Sequence, residues 1–123
     1  MTKGSRYSYS ETLAKLTKAI TDAGNTIFAT IDQAAAAAGV GLTLRPTTLI
    51  VFGNPKGGTP LMDAFPLVGL DLPLKVMVWE ESGNVNVAYE PMSEIAARYA
   101  VTGMDARIAA MDHAIEGVTN AVT

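Results

Sequence analysis

The chain has 123 residues, 49% of them apolar, which is enough for one domain with its own hydrophobic core. It has no cysteine and one histidine, which excludes disulfides and thiolate metal sites, and we expect neither a metal ion nor another cofactor. A formal net charge of -3 without basic blocks argues against a nucleic-acid partner. No segment approaches the ~20 apolar residues that cross a bilayer, so we expect no membrane association and a cytoplasmic location.

The first part of the chain predicts a helix, a strand and a short second helix. Residues 8–11 have the S-x-x-E form of a capping box, and apolar residues then recur at helical spacing until Gly24. Residues 26–31 alternate as a strand does, and Asp32 stands at the N-cap of a run of five alanines that Gly39 ends. This helix of small side chains is predicted to be a tightly packed connector. The alternative is that it lies directly beneath a bound ligand.

The middle of the chain predicts three further strands. Residues 47–53 are apolar on both alternating faces, as in an interior strand, and a helix is expected at about residues 60–65. Two strands, at residues 72–80 and 85–89, flank a Gly-Asn turn, so they should be antiparallel neighbours.

The last third of the chain predicts two helices, at residues 91–100 and at about 103–120. His113 lies opposite the apolar stripe of the final helix, so it should face solvent. The stripe consists of Met104, Ile108, Met111, Ile115 and Val118. We therefore predict one α+β domain over residues 1–123, with a single layer of about four mainly antiparallel strands and helices packed mainly on one face.

The sequence GNPKGGT, residues 53–59, contains half of a phosphate-binding loop. Gly53 and Gly58 have the spacing of the Walker A motif. Lys56, however, precedes the paired glycines, and Thr59 stands where the motif has its lysine, so nucleotide hydrolysis by that mechanism is not expected. With Thr59 as N-cap and Pro60 as the first helical residue, unpaired N–H groups would attract an anion. The same residues also suit a plain strand-to-helix turn, so both interpretations stay open.

Three other polar residues are weaker candidates for a functional site. Asp71 lies among apolar residues, where burial can raise the pKa of a carboxyl, although such a residue more often accepts backbone N–H bonds and shapes the chain. Tyr89 and Arg98 are candidates for contacts with a ligand and equally for a subunit interface, where both residue types are enriched.

The order and spacing of four segments resemble a known family. The segments are TTLIVFGNPKGGTPLM, LDLPLKVMVWE, VNVAYEP and AARY, and they are similar to the bacterial and archaeal domain-of-unknown-function family numbered 302. The resemblance covers about residues 9–101 and implies a compact α+β domain, usually a homodimer, without an established activity. Where many members have histidine, this chain has Gln33 and Tyr99, so a metal-binding or proton-transfer role of those histidines would be lost here.

We therefore predict a homodimeric binding or accessory domain whose Asn54 to Thr59 loop takes a small anionic or polar ligand. One alternative is a small carboxylate-dependent enzyme that uses Asp71 or Glu90 with Tyr89, as a hydrolase or isomerase. The other is a purely structural dimerisation domain. The candidate ligand-binding residues are Asn54, Lys56, Gly57, Gly58, Thr59, Asp71, Tyr89 and Arg98.

Overall fold

The strands of the chain form one sheet, and helices connect most of them. The computed structural model describes residues 1–123. The elements are β1 (Thr2–Gly4), α1 (Tyr9–Asp22), β2 (Thr26–Asp32), α2 (Gln33–Ala38), β3 (Thr47–Gly53), α3 (Pro55–Ala64), a 3-10 helix (Pro66–Leu70), β4 (Leu74–Glu81), β5 (Asn84–Tyr89), α4 (Met92–Arg98) and α5 (Asp105–Asn120).

The sheet has five antiparallel strands in the order β1-β5-β4-β3-β2. The predicted α+β class and the antiparallel arrangement are confirmed, but the number of strands is five rather than four. The strand that sequence reasoning missed is β1, which pairs with β5 at one edge. It has three residues, one of them Lys3, and so short a segment shows no alternation of apolar and polar residues.

The hydrophobic core lies on one face of the sheet. Alternate side chains of β3, β4 and β5 are buried there, and α1, α3, α4 and α5 supply most of the other members of one cluster of 20 buried residues. The predicted packing of helices mainly on one face is confirmed. Ile108, Ile115 and Val118 of the α5 stripe are buried, and His113 is exposed, as the helical period predicts.

Local signals in the sequence set the ends of α1. The Ser8 hydroxyl accepts a hydrogen bond from the Glu11 backbone N–H at 3.2 Å, which satisfies one of the N–H groups left free at a helix start. Gly24 has φ +85° just past the helix end, a conformation that glycine adopts without strain. The Tyr9 hydroxyl lies 2.6 Å from the Thr48 hydroxyl and connects α1 to the sheet.

The second face of the sheet is partly exposed. Its large apolar side chains on β3 and β4 are Leu49, Val51, Met77 and Trp79, none of which belongs to the core cluster. The α2 helix has no buried residue, and Val40 and Leu42 in the loop that follows are 75% and 66% exposed. The prediction that the alanine helix is a tightly packed connector is therefore wrong.

Candidate functional site

The glycine-rich loop is itself the first turn of α3. The helix begins at Pro55, with Asn54 as its N-cap, and not at Pro60 as the sequence analysis expected. The Asn54 side-chain oxygen accepts from the Lys56 N–H at 3.0 Å, and the Asn54 carbonyl accepts from the Gly57 and Gly58 N–H groups at 2.8 and 3.1 Å. Asn-Pro is as good a cap and first helical residue as Thr-Pro. The N–H groups of this turn are thus already paired, which removes the reason for expecting an anion at Thr59.

Pro60 lies inside α3 and changes the hydrogen bonding of the loop. A proline has no N–H, so the carbonyl four residues earlier, that of Lys56, loses its helical partner. Arg107 of α5 takes this place, because its Nη1 donates to the Lys56 carbonyl at 3.1 Å and lies 3.4 Å from the Gly57 carbonyl. The guanidinium group therefore joins the start of α3 to the start of α5.

A groove of about 560 Å³ lies against this loop. One wall of the groove is the loop with Met62 of α3, and the opposite wall is one face of α5. The rest of the lining comes from Leu72 and Pro73, just before β4, and from Phe28 of β2. The α5 wall is lined by small side chains at every fourth position, Ala106, Ala110 and Ala114. Most of this lining is apolar, and Arg107 is its only charged side chain.

Phe28 reaches the groove because β2 carries an extra residue there. Ile27 pairs with Phe52 and Ala29 pairs with Val51, so Phe28 has no partner on β3. Such a bulge redirects a side chain and is often found beside a functional site. The Phe28 ring is 52% exposed and lines the groove.

The structure brings together half of the predicted ligand-binding residues. Asn54, Gly57, Gly58 and Thr59 line the groove, whereas Lys56 is exposed and is not part of the lining. The α5 wall was missed, although the four-residue spacing of its alanines is visible in the sequence and places them on one helical face.

Asp71 and Arg98 form a separate cluster. The Asp71 carboxylate accepts from the Tyr99 hydroxyl at 2.6 Å and from Arg98 Nε at 3.3 Å. The hydrogen bond from Tyr99 lowers the pKa of Asp71 below its ordinary value of 3.8; burial opposes this effect and Arg98 reinforces it. Asp71 therefore has neither the backbone N–H partners that the sequence favoured nor the raised pKa considered beside them, because its partners are the side chains of Tyr99 and Arg98.

The other members of this cluster are also engaged. Arg98 Nη1 donates to a Glu90 carboxylate oxygen at 2.6 Å, so the ion pair joins the end of β5 to α4. The hydrogen bond to Asp71 raises the pKa of Tyr99 above 10.0. Tyr99 stands where the family resemblance implies a histidine, and here its hydroxyl holds Asp71. Neither Asp71 nor Glu90 lines the groove beside α5.

Tyr89 lies on the core face and not at the groove. It is 8% exposed, and Lys3 Nζ lies 5.4 Å from the centre of its ring. Burial raises the pKa of Tyr89 above 10.0, with a further contribution from Glu116. Its role in the structure is packing between the sheet and α5.

The described residues hold no group of three or more histidine or carboxylate side chains placed to bind a metal ion. No helix of the chain is long and apolar enough to cross a membrane.

Two comparisons relate the whole chain to known proteins. The family model described as "Domain of unknown function DUF302" matches residues 1–121. The crystal structure of an uncharacterized conserved DUF302 protein from Bacillus stearothermophilus has a TM-score of 0.91 to this chain, with 16% sequence identity, and the match covers 100% of this chain and 97% of that one. At this identity the match shows a common fold.

Longer curated proteins match part of their length. The chain is 37% identical over 102 residues to "Fluoride-specific ion channel FluC 1" of Brucella suis biovar 1 (strain 1330), covering 82% of this chain and 40% of that protein. The protein of the same name from Brucella abortus biovar 1 (strain 9-941) is also 37% identical over 102 residues, with 82% and 38% covered. The chain thus spans about two fifths of the length of these relatives.

Proposed function

Because the chain belongs to the DUF302 family, we propose that it is an accessory domain that binds a small amphipathic ligand in the groove between α3 and α5. The ligand has an apolar body and a carboxylate or similar anionic group. The observation that carries this proposal is the lining of the groove, which is mostly apolar and has one charged side chain, Arg107.

The size and lining of the groove fit this class of ligand. Small-molecule sites are concave and mostly apolar, with volumes of roughly 300 to 1,000 Å³ and a few polar groups that orient the ligand. The groove, at about 560 Å³, lies within this range. The side chains of Asn54 and Thr59 are its polar groups on the α3 side.

The charge of the ligand follows from the two nearby cations. Neither Arg107 nor Lys56 forms a salt bridge within the chain. The N–H groups at the start of α3 are already paired, so on the α3 side the formal positive charge comes from these side chains. Free phosphate has no apolar body to bury, so we expect it to bind much more weakly than an apolar carboxylate.

An NMR titration with matched variants tests this proposal. Octanoate and benzoate should shift the amide signals of the groove residues saturably, and phosphate should not. Ala110→Phe should abolish these shifts, because Ala110 lines the groove and the new ring would fill it. Ala109→Phe is the control, since Ala109 is also exposed on α5 but does not line the groove. Equal binding by the Ala110 variant, or no binding of any apolar carboxylate, would refute the proposal.

We also propose that the domain acts as a homodimer through the second face of its sheet. This face has partly exposed apolar side chains on its central strands: Met77 of β4 pairs with Leu49 on one side and with Ala88 on the other. A sheet normally packs an apolar face against another layer, and exposed apolar patches commonly mark interfaces.

Sedimentation velocity tests the dimer. Met77→Lys should yield a monomer, because it places a charge at the centre of this face, while Thr17→Lys on the exposed side of α1 should leave the dimer intact. Circular dichroism verifies that both variants fold. A wild-type chain that remains monomeric at about 0.1 mM would contradict the dimer.

The partial match to longer proteins supports an accessory role. The chain is similar to about two fifths of each Brucella protein, so a domain of this kind occurs joined to other polypeptide. Because the match is partial, fluoride transport is not part of the proposal.

A further inference from the structure

The strand β2 leaves one side of its backbone without hydrogen bonds. It is the last strand of the sheet and pairs with β3 alone. None of the chain's other backbone hydrogen bonds involves residues 26–32. The N–H and C=O groups on its outer side therefore have no partner within the chain, and such a row is a template for a further strand.

The two edges of the sheet differ in how they are protected. The β1 edge has three residues, including Lys3, and short charged strands are poor templates. The β2 edge has seven residues, with no proline or lysine, and its only charge is the terminal Asp32. Its bulge lies at the groove end, whereas Ala29 to Asp32 pair in regular register with β3. The regular part of β2 is thus open to pairing.

The open edge leads directly to the groove. Phe28 belongs to β2 and also lines the groove, as do Ala23 and Asn25 just before the strand. A strand that pairs with Ala29 to Asp32 and continues past Phe28 therefore reaches the groove, because Phe28 follows directly on the paired segment. Edge and groove together form one extended surface.

The direction of an added strand follows from the charges. If it runs antiparallel to β2, as every neighbouring pair in this sheet does, its carboxyl end lies at the Thr26 end, beside the groove. Arg107, which has no salt-bridge partner, lies at that groove, and Lys56 is exposed on the same loop. A terminal carboxylate is complementary to these cations.

Resting on the proposed ligand groove, we propose that the natural ligand is the C-terminal segment of a polypeptide. This segment pairs antiparallel with the outer side of β2, inserts its last, apolar side chain between Phe28 and the α5 alanines, and places its terminal carboxylate near Arg107. The backbone pairing supplies affinity that tolerates many sequences, and the groove selects the last residue.

Peptide binding measured by fluorescence anisotropy tests this inference. The probe is an octapeptide of alternating threonine and valine, with two lysines at its start, that ends in leucine with a free carboxylate. It should bind at least tenfold more tightly than N-acetylleucine, which has the anchor and carboxylate but no strand. The carboxamide form of the octapeptide should bind at least fivefold more weakly than the acid.

Backbone methylation separates edge pairing from anchoring. Two versions of the octapeptide carry N-methyl groups on alternate residues, one set at odd and one at even positions, and both keep the last leucine unmodified. Only one set removes the N–H groups directed at β2, because these groups alternate along a strand. One version should therefore lose tenfold or more in affinity and the other should retain it. Ala110→Phe should abolish binding of every probe, and Ala109→Phe should not change it.

The other possible results of these peptide experiments each decide whether the strand inference and the proposed function stand. If N-acetylleucine binds and the octapeptide gains nothing, the strand inference is overturned and the proposed ligand groove stands. If neither binds, the proposed function fails and the inference with it. If both methylated peptides bind like the parent, the edge is not used and the inference is overturned. A dimer in which a second copy covers β2 would exclude the octapeptide and would also overturn it.

Discussion

Substitution of Pro60 tests the link between α3 and α5. Pro60 removes the N–H that would pair with the Lys56 carbonyl, and Arg107 Nη1 donates to that carbonyl instead. Pro60→Ala restores the missing N–H, so the carbonyl no longer depends on the guanidinium group. The effect of Arg107→Ala on stability should therefore depend on which residue stands at position 60.

The expected free energies follow from the geometry. A proline inside a helix costs about 3 kcal/mol, but here Arg107 replaces the lost hydrogen bond and so reduces this cost. Proline also restricts the unfolded chain, and losing that restriction offsets about 0.4–1 kcal/mol of the stability gained by Pro60→Ala. Pro60→Ala should thus stabilise the fold by about 1–2 kcal/mol. Arg107 is exposed, so water competes for the carbonyl, and Arg107→Ala should cost about 0.5–1 kcal/mol. In the Pro60→Ala background it should cost close to zero.

Urea unfolding of the four members of this double-mutant cycle measures the coupling. Arg45→Ala in both backgrounds is the control, because the Arg45 side chain forms no salt bridge and is exposed. If Arg107→Ala costs the same with and without Pro60, the guanidinium group does not compensate for the missing N–H.

Three further substitutions test other parts of the structure. Gly58→Ala should raise the free energy of unfolding by about 0.5–1 kcal/mol, measured in urea, since the added methyl meets its neighbours at 3.7 and 3.8 Å and alanine favours the helix; a loss of stability would contradict this. Tyr99→Phe should raise the pKa of Asp71 toward 3.8, followed by its carboxyl carbon shift. Because the folded pKa of Asp71 is lowered, the wild type loses this stabilisation as pH falls below 3.8, and the variant, which keeps only the contributions of Arg98 and Lys75, should show a smaller loss. Tyr9→Phe, which leaves the buried Thr48 hydroxyl without its partner, should cost about 1–2 kcal/mol; strict additivity with Thr48→Val in thermal unfolding would refute the pair.

The period of apolar residues predicted most of the fold, but it could not place the start of α3. The loop contains two cap signals, Asn54 before Pro55 and Thr59 before Pro60, and paired glycines lie between them. Glycine disfavours a helix by about 1 kcal/mol per residue, so sequence reasoning put the glycines outside it. In the structure the Asn54 cap and the hydrogen bonds from Arg107 to the Lys56 and Gly57 carbonyls hold this first turn, and they outweigh the local preference. The sequence therefore showed that residues 53–59 connect a strand to a helix, but it did not show at which residue the helix begins.

The groove itself required tertiary structure, because its two walls come from α3 and α5. The observed role of Arg107 and the role that we propose for it do not compete, since a guanidinium group has five N–H donors in a planar fork. Its Nη1 holds the Lys56 carbonyl, and Nε and Nη2 have no acceptor within the chain. Those nitrogens are the donors left for a ligand carboxylate. A lysine at this position would have to divide one ammonium group between the carbonyl and the ligand, so the fork explains how one residue can fix the groove wall and still bind an anion.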